Sequence, residues 1–191
     1  LSFEGACENF SISKERKTIQ DKHTKKYNVS LFSLLTALYG ILQSKLTGVN
    51  DVLIGTPVAG RRHWSLENVI GMFVNTITVR MQPSGDLTFN NYLRKISAGV
   101  VKSFDNQEYP YESLVEDLGL KTSNGNNRLF NVIISLVNFA KNEEFKVGSL
   151  NIKPLEFEKS TAKFDFMMHF FEKDSRIDCT VEYDTKLFTK E

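Results

Sequence analysis

Ser30 to Gly48 is the segment that most restricts the fold. Ser30 is an N-cap residue, Leu31, Leu34, Leu35, Leu38 and Leu42 recur at helical spacing, and Gly48 closes the run. Phe32, Tyr39, Ile41 and Leu46 widen the apolar stripe, so this helix is expected to be buried on several sides. Asp51-Val52-Leu53-Ile54-Gly55 follows at once, and its continuously apolar middle marks a short buried strand. A buried helix leading into a buried strand points to a sheet with helices packed on it.

The rest of the chain fits that class. Residues 8–13 alternate weakly as a short strand, and Ser13 caps a helix from Lys14 to about Lys26. Its cations, Lys14, Arg16, Lys17, Lys22, Lys25 and Lys26, form a solvated outer face, with docking of an acidic partner as the sharper alternative. Residues 56–71 read as a functional loop leading into a strand from Val74 to Met81, with β-branched residues on both faces. Pro83-Ser84-Gly85-Asp86 is a turn. An amphipathic helix with Phe89, Leu93, Ile96, Val100 and Phe104 on one side follows it. Pro110 opens a shorter helix ending near Leu118, and residues 121–127 read as a mobile loop. Leu129 to Val137 reads as a strand, Phe145–Val147 and Leu150–Ile152 as a hairpin, and Phe164 to Phe171 and Ile177 to Tyr183 as two further strands. Helices dominate early and strands late. The expected class is α/β, a mixed sheet with helices packed on it, in one domain's length of 191 residues.

Composition excludes several functions. With 24 Lys and Arg against 23 Asp and Glu the net charge is +1, which predicts no nucleic-acid partner. A hydrophobic fraction of 41% rules out a disordered tail. No apolar run approaches the ~20 residues that span a bilayer, so no membrane partner is expected. Leu1 to Phe10 has no signal-peptide character, and the chain reads as a section of a longer polypeptide. Two cysteines, Cys7 and Cys179, are too few for a disulfide framework or a four-cysteine zinc site. They read as small buried residues in a reducing compartment, the cytoplasm.

The residues offer little catalytic chemistry. There is no Gly-x-Ser-x-Gly elbow, P-loop or dinucleotide fingerprint, and no metal-ligand spacing. His63 lies in the functional loop as either an incidental histidine or a base, and His169 sits among aromatic and Met neighbours in a strand, where packing is favoured. Glu108 and Glu112 flank Tyr109-Pro110-Tyr111; a helix N-terminus attracts carboxylates, which favours capping over an acid pair. Asn75 is costly inside a strand unless hydrogen-bonded, so it has a role, structural or catalytic.

Three blocks, in this order, resemble the condensation domains of non-ribosomal peptide synthetases. Ile54-Gly55-Thr56-Pro57-Val58-Ala59-Gly60-Arg61-Arg62 runs through Leu66-Glu67-Asn68 into Ile70-Gly71-Met72-Phe73-Val74-Asn75-Thr76, with Arg80 beyond. This is similar to the family's Gly-x-Phe-Val-Asn-Thr motif and its lead-in, and it favours the condensing over the epimerising kind. Asn106-Gln107-Glu108-Tyr109-Pro110-Tyr111-Glu112 is similar to the family's Gln-Asp-Tyr-Pro-Phe-Glu element. Asn127-Arg128-Leu129-Phe130-Asn131-Val132 through Asn138 resembles its Arg-Asn-Pro-Leu-Phe block without the Asn-Pro pair. The likeness extends to Glu182-Tyr183-Asp184-Thr185-Lys186-Leu187-Phe188.

The resemblance implies a chloramphenicol-acetyltransferase-like lobe. Residues 1–191 would be the C-terminal lobe of a two-lobed domain with a tunnel between the lobes. The family's His-His-x-x-x-Asp-Gly motif belongs to the other lobe, and no adjacent histidines occur here, so no catalytic residue is expected in this chain and the chain alone is expected to be inactive. The implied reaction joins a carrier-bound acyl or peptidyl thioester to a carrier-bound aminoacyl acceptor as an amide, both held on phosphopantetheine arms. The implied partners are the N-terminal lobe, upstream and downstream carrier domains, and an adenylation domain in cis. Asn75, Gly71, Phe73 and Thr76 would line the tunnel, and Arg61 and Arg62 would meet a pantetheine phosphate. A segment near residues 140–165 would cross to the other lobe. The alternative is a non-catalytic module of the same fold that docks carrier or partner domains.

Overall fold

A computed structural model describes residues 3–120, 129–137, 145–152 and 160–190. The chain divides into two compact units, Gln20–Ile134 and the combination of Leu1–Ile19 with Ser135–Glu191.

In the first of these units, α2 (Leu31–Thr47) begins at Ser30, whose hydroxyl accepts the Ser33 N–H at 3.0 Å, and ends at Gly48 with φ 71°. It packs on α3 (Phe89–Asp105), which Thr88 caps. Beneath them β2 (Val52–Val58) and β3 (Asn75–Met81) pair antiparallel from Val52↔Met81 to Val58↔Asn75. On its other edge β2 pairs parallel with β4 (Val132–Val137) at Gly55↔Ile133, so the sheet is mixed. Ile77, Val79 and Met81 alternate into the core against Leu93, Ile96 and Val100, and Phe104 meets Phe32 edge-on at 6.0 Å. A short α4 (Tyr111–Asp117) follows α3. Alternation in the strand and the i, i+3, i+4 spacing of α3 thus bury one face each, which sets the register.

In the second unit the first strand of the chain pairs with the last, beside an antiparallel hairpin. β1 (Gly5–Ile12) pairs antiparallel with β8 (Ile177–Asp184), and β8 with β7 (Phe166–Glu172). β5 (Phe145–Val147) and β6 (Leu150–Ile152) form a separate hairpin. The β7–β8 turn closes with the Lys173 N–H donating to the Arg176 carbonyl at 2.9 Å. Lys173 and Arg176 also reach Asp178 at 2.5 and 2.7 Å. Burial would raise the Asp178 carboxyl, but hydrogen bonds from Lys173, Ser11 and Arg176 outweigh it and hold the pKa at about 2.

The α/β class with a mixed sheet and packed helices is as expected, and the elements match the sequence reading closely. Four details differ. β2 runs on through Thr56 and Val58, because residues 56–58 find partners on β3 and the loop starts only at Ala59. The apolar stripe of α2 is buried in its first half, whereas Leu38, Leu42 and Leu46 stand exposed, Leu46 at 72%. Pro110 precedes α4 as its cap residue rather than opening its first turn. Lys17, on the nominally solvated face of α1 (Lys14–Tyr27), is only 8% exposed and pairs with Glu172 at 3.1 Å. Cys179 is buried, which pushes its thiol up to about 11, while Cys7 is half-buried. Among the described residues no single helix is long and apolar enough to cross a membrane. The loop at 121–127, Asn127, Arg128 and Asn138 of the third block, and much of the 140–165 segment lie outside the described residues.

Candidate active-site wall

All six residues singled out for a site lie in the Gln20–Ile134 unit, on the segment from Gly60 to Thr76. Gly60 turns the chain out of β2 with φ 65°, and a side chain there would strike the Phe73 carbonyl. Arg61 then points inward along its own loop. Its guanidinium donates to the carbonyls of Leu66, Val69 (2.8 Å) and Gly71 (3.1 Å), and its Cζ lies 4.4 Å from the Phe73 ring centroid. The five-donor fork of arginine suits three diverging carbonyls. Arg62 donates to the Asp105 carbonyl at 3.1 Å, at the C-terminal end of α3 where a cation is favoured by the helix dipole.

Inside this loop, Trp64–Leu66 forms a 3₁₀ turn capped by His63, whose Nδ1 accepts the Ser65 N–H at 3.3 Å. His63 is exposed, and its ring is engaged in this cap. The loop holds Trp64, Ile70 and Met72 out into solvent, Ile70 fully so. Gly71 is exposed, and a Cβ there would come within 3.2 Å of the Phe73 ring.

Asn75 is the centre of the arrangement. Its Nδ2 donates to the carbonyls of Gln107 (2.8 Å) and Tyr109 (2.7 Å). Its Oδ1 accepts the N–H groups of Thr76 (2.8 Å) and Tyr111 (3.3 Å). A side-chain amide has two donor hydrogens and two acceptor lone pairs, so every one is used. Pro110 offers no side-chain cap to α4, and Asn75 supplies that acceptor from the neighbouring strand. Thr76, half-buried, sits opposite Pro57.

The second block is joined in turn to the third. The Tyr111 hydroxyl accepts the Leu129 N–H at 2.9 Å, and its ring lies 5.3 Å from that of Phe130. Three sequence blocks thus meet through Asn75 and Tyr111. Sequence reasoning singled out Asn75 but missed Gln107, Tyr109 and Tyr111 as its partners. The order of the blocks was the only signal, and order carries no geometry. Glu112 occupies the first turn of α4, which agrees with the capping reading, and the Tyr109 hydroxyl donates to Asp117, which raises its pKa.

Chemically this is a shaped, hydrogen-bonded wall. Arg61, Arg62 and Asn75 spend their polar groups on main-chain carbonyls and N–H groups, and among the described residues no His, Cys, Asp and Glu group is placed to hold a metal ion. Elsewhere His169 shares a 2.7 Å hydrogen bond with Ser135, within the other unit. The wall offers a shaped surface against which a reactant can be positioned.

The comparisons agree with this architecture. Bacitracin synthase 3 of Bacillus licheniformis is 36% identical over 189 residues, covering 99% of this chain but 3% of that protein. A crystal structure of a four-domain nonribosomal peptide synthetase bound to AMP and glycine superposes with a TM-score of 0.88 at 22% identity, covering 98% of this chain and 15% of that one. The X-domain from teicoplanin biosynthesis gives 0.87 at 18% identity, covering 99% and 44% respectively. The chain therefore spans a small part of its curated relatives and under half of a separate domain of the same fold. The family model described as the condensation domain matches residues 2–191, and with the three motif blocks joined through Asn75 and Tyr111 this chain belongs to the condensation-domain family.

Proposed function

We propose that this chain is the C-terminal lobe of a condensation domain, forming one wall of a tunnel in which a carrier-bound thioester donor and a carrier-bound aminoacyl acceptor are joined as an amide. The observation that carries this reading is the Asn75 clamp, which binds the family's two best-matched blocks into one rigid surface. The outward-held Trp64, Ile70 and Met72 support it, since three large apolar side chains held into solvent by one loop suit a surface that another body covers. The match to under half of a separate X-domain supports a single lobe.

In this reading the two phosphopantetheine arms deliver the reactants, and the wall holds them at attack distance. Such positioning can supply several kcal/mol, on the order of 7–11 at best. Amide formation is proton-balanced: the amine attacks the thioester carbonyl, the C–N bond forms, the C–S bond breaks, the thiol leaves and the amine loses a proton. That proton is handled by the histidine motif of the N-terminal lobe, since the described residues of the wall offer no uncommitted base. Gly71, Phe73 and Thr76 line the tunnel, with Asn75 as the positioning residue behind them. Arg62 meets a pantetheine phosphate at the wall's edge, while Arg61 acts by shaping the loop that bears both. The N-terminal lobe, flanking carrier domains and an adenylation domain in the same polypeptide are the partners, in the cytoplasm.

The test is amide formation from carrier-bound donor and acceptor, read by mass spectrometry of the acceptor carrier. This chain alone is expected to form none, and the parent domain containing both lobes to form it. Product from the chain alone would overturn the reading. A docking module without chemistry is the second reading, favoured by the likeness to an X-domain whose fold also occurs in complex with OxyB. A parent that binds carriers and fails to condense them would establish it.

A further inference from the structure

The Gln20–Ile134 unit also holds a concave site that shares no residue with the wall. It is a cavity of about 250 Å³ where the end of α2 faces the turn before α3. This lies just below the ~300–1,000 Å³ common for small-molecule sites, so its ligand is fragment-sized. Ile41, Pro83, Leu87, Phe89 and Tyr92 line it with apolar surface. Pro83 and Tyr92 are buried and fixed, and the Tyr92 hydroxyl is sealed away beside Gly40 and Met81. The Tyr92 contribution to the cavity is therefore apolar.

The polar side chains of the lining are Ser44, Lys45, Asn50 and Ser84; the Ser44 hydroxyl is spent on Asn50 and the Ser84 hydroxyl on Asp86, so Lys45 and Asn50 are the groups left to meet a ligand. Lys45 is exposed at the rim and makes no ion pair among the described residues. Asn50 is oriented by Ser44, whose hydroxyl donates to its Oδ1 at 2.5 Å, which leaves both Nδ2 hydrogens of that side chain to donate elsewhere. An ammonium and an amide N–H pair beside an apolar floor select an anion with an apolar body. No carboxylate side chain lines the cavity to compete for that role. We infer that this cleft binds a small monocarboxylate with an aryl or branched acyl body, its carboxylate at Lys45 and Asn50 and its body against Leu87, Phe89 and Tyr92.

The experiment titrates the chain with 4-phenylbutyrate and follows backbone amide shifts by NMR. Saturable shifts confined to residues 41–50 and 83–92 are expected at millimolar ligand. The neutral 4-phenylbutyramide is expected to bind about fivefold more weakly, the size of one exposed ion pair. Lys45→Gln should bring the acid down to the affinity of the amide while leaving the spectrum elsewhere unchanged. Leu87→Asn should weaken both probes, and inorganic phosphate should produce no shifts because it gains nothing from the apolar wall. Absence of saturable shifts, shifts confined to other surfaces, or equal affinity of wild type and Lys45→Gln for the acid would each overturn the proposal.

Discussion

Asn75→Ala tests the central geometry directly. The substitution removes donors to the carbonyls of Gln107 and Tyr109 and the acceptor for the Thr76 and Tyr111 N–H groups. A net hydrogen bond contributes about 0.5–1.5 kcal/mol, and loss of a helix cap costs about 0.5–2. Tyr109 is exposed, so water replaces the donor to its carbonyl and that bond contributes little. The Gln107 and Tyr111 bonds are part-buried and carry most of the effect. The expected loss is about 2–3 kcal/mol, or about 5–10 °C in Tm for a chain of this size. The assay is thermal unfolding by circular dichroism together with hydrogen exchange at the Tyr111 amide. Asn75→Asp separates the two halves of the clamp: it keeps the acceptor but sets a carboxylate against two carbonyl oxygens, and should destabilise at least as much as Ala. An unchanged Tm with unchanged Tyr111 exchange in Asn75→Ala would refute the clamp. In the parent domain, turnover per folded molecule should also fall, because the wall shifts; turnover unaffected in folded protein would leave Asn75 a purely structural residue.

Gly40→Ala should destabilise despite alanine's better helix propensity, because a Cβ there meets the Tyr92 hydroxyl at 2.5 Å and the Met81 sulfur at 2.9 Å. Tyr92→Phe removes a buried hydroxyl that has no hydrogen-bond partner, so it should be neutral or stabilising by about 1 kcal/mol and should rescue Gly40→Ala, a coupling that a double-mutant cycle measures. Arg61→Lys keeps the charge but not the three-carbonyl fork, and should lower the ¹⁵N heteronuclear NOE of residues 66–71 without abolishing the fold. The Asp178 carboxyl is depressed from 3.8 to about 2, so its contribution to stability is present above pH ~4 and is lost as pH falls towards 2; Asp178→Asn should flatten urea-unfolding stability across that window.

Much of this protein was legible in its sequence because its signals are local. Ser30 and Gly48 cap α2 within one turn of their partners, the alternation of Ile77, Val79 and Met81 with Thr76, Thr78 and Arg80 sets the buried face of β3, and the Gly148-Ser149 pair places the β5–β6 hairpin. The motif blocks were legible as well, down to Asn75 as a residue with a definite role. What the sequence could not supply was the identity of that residue's partners, which stand 32 to 36 positions away, because hydrogen bonds at that range exist only once β3, α3 and α4 have packed. The same holds for Lys17, which reads as solvated until Glu172 arrives from the far end of the chain, and for Leu38 and Leu42, whose spacing says which helix face is apolar but not what lies opposite it. Local propensity and periodicity act over one or two turns and so decide the elements; the wall depends on desolvated polar groups finding each other across elements, and tertiary packing alone decides that.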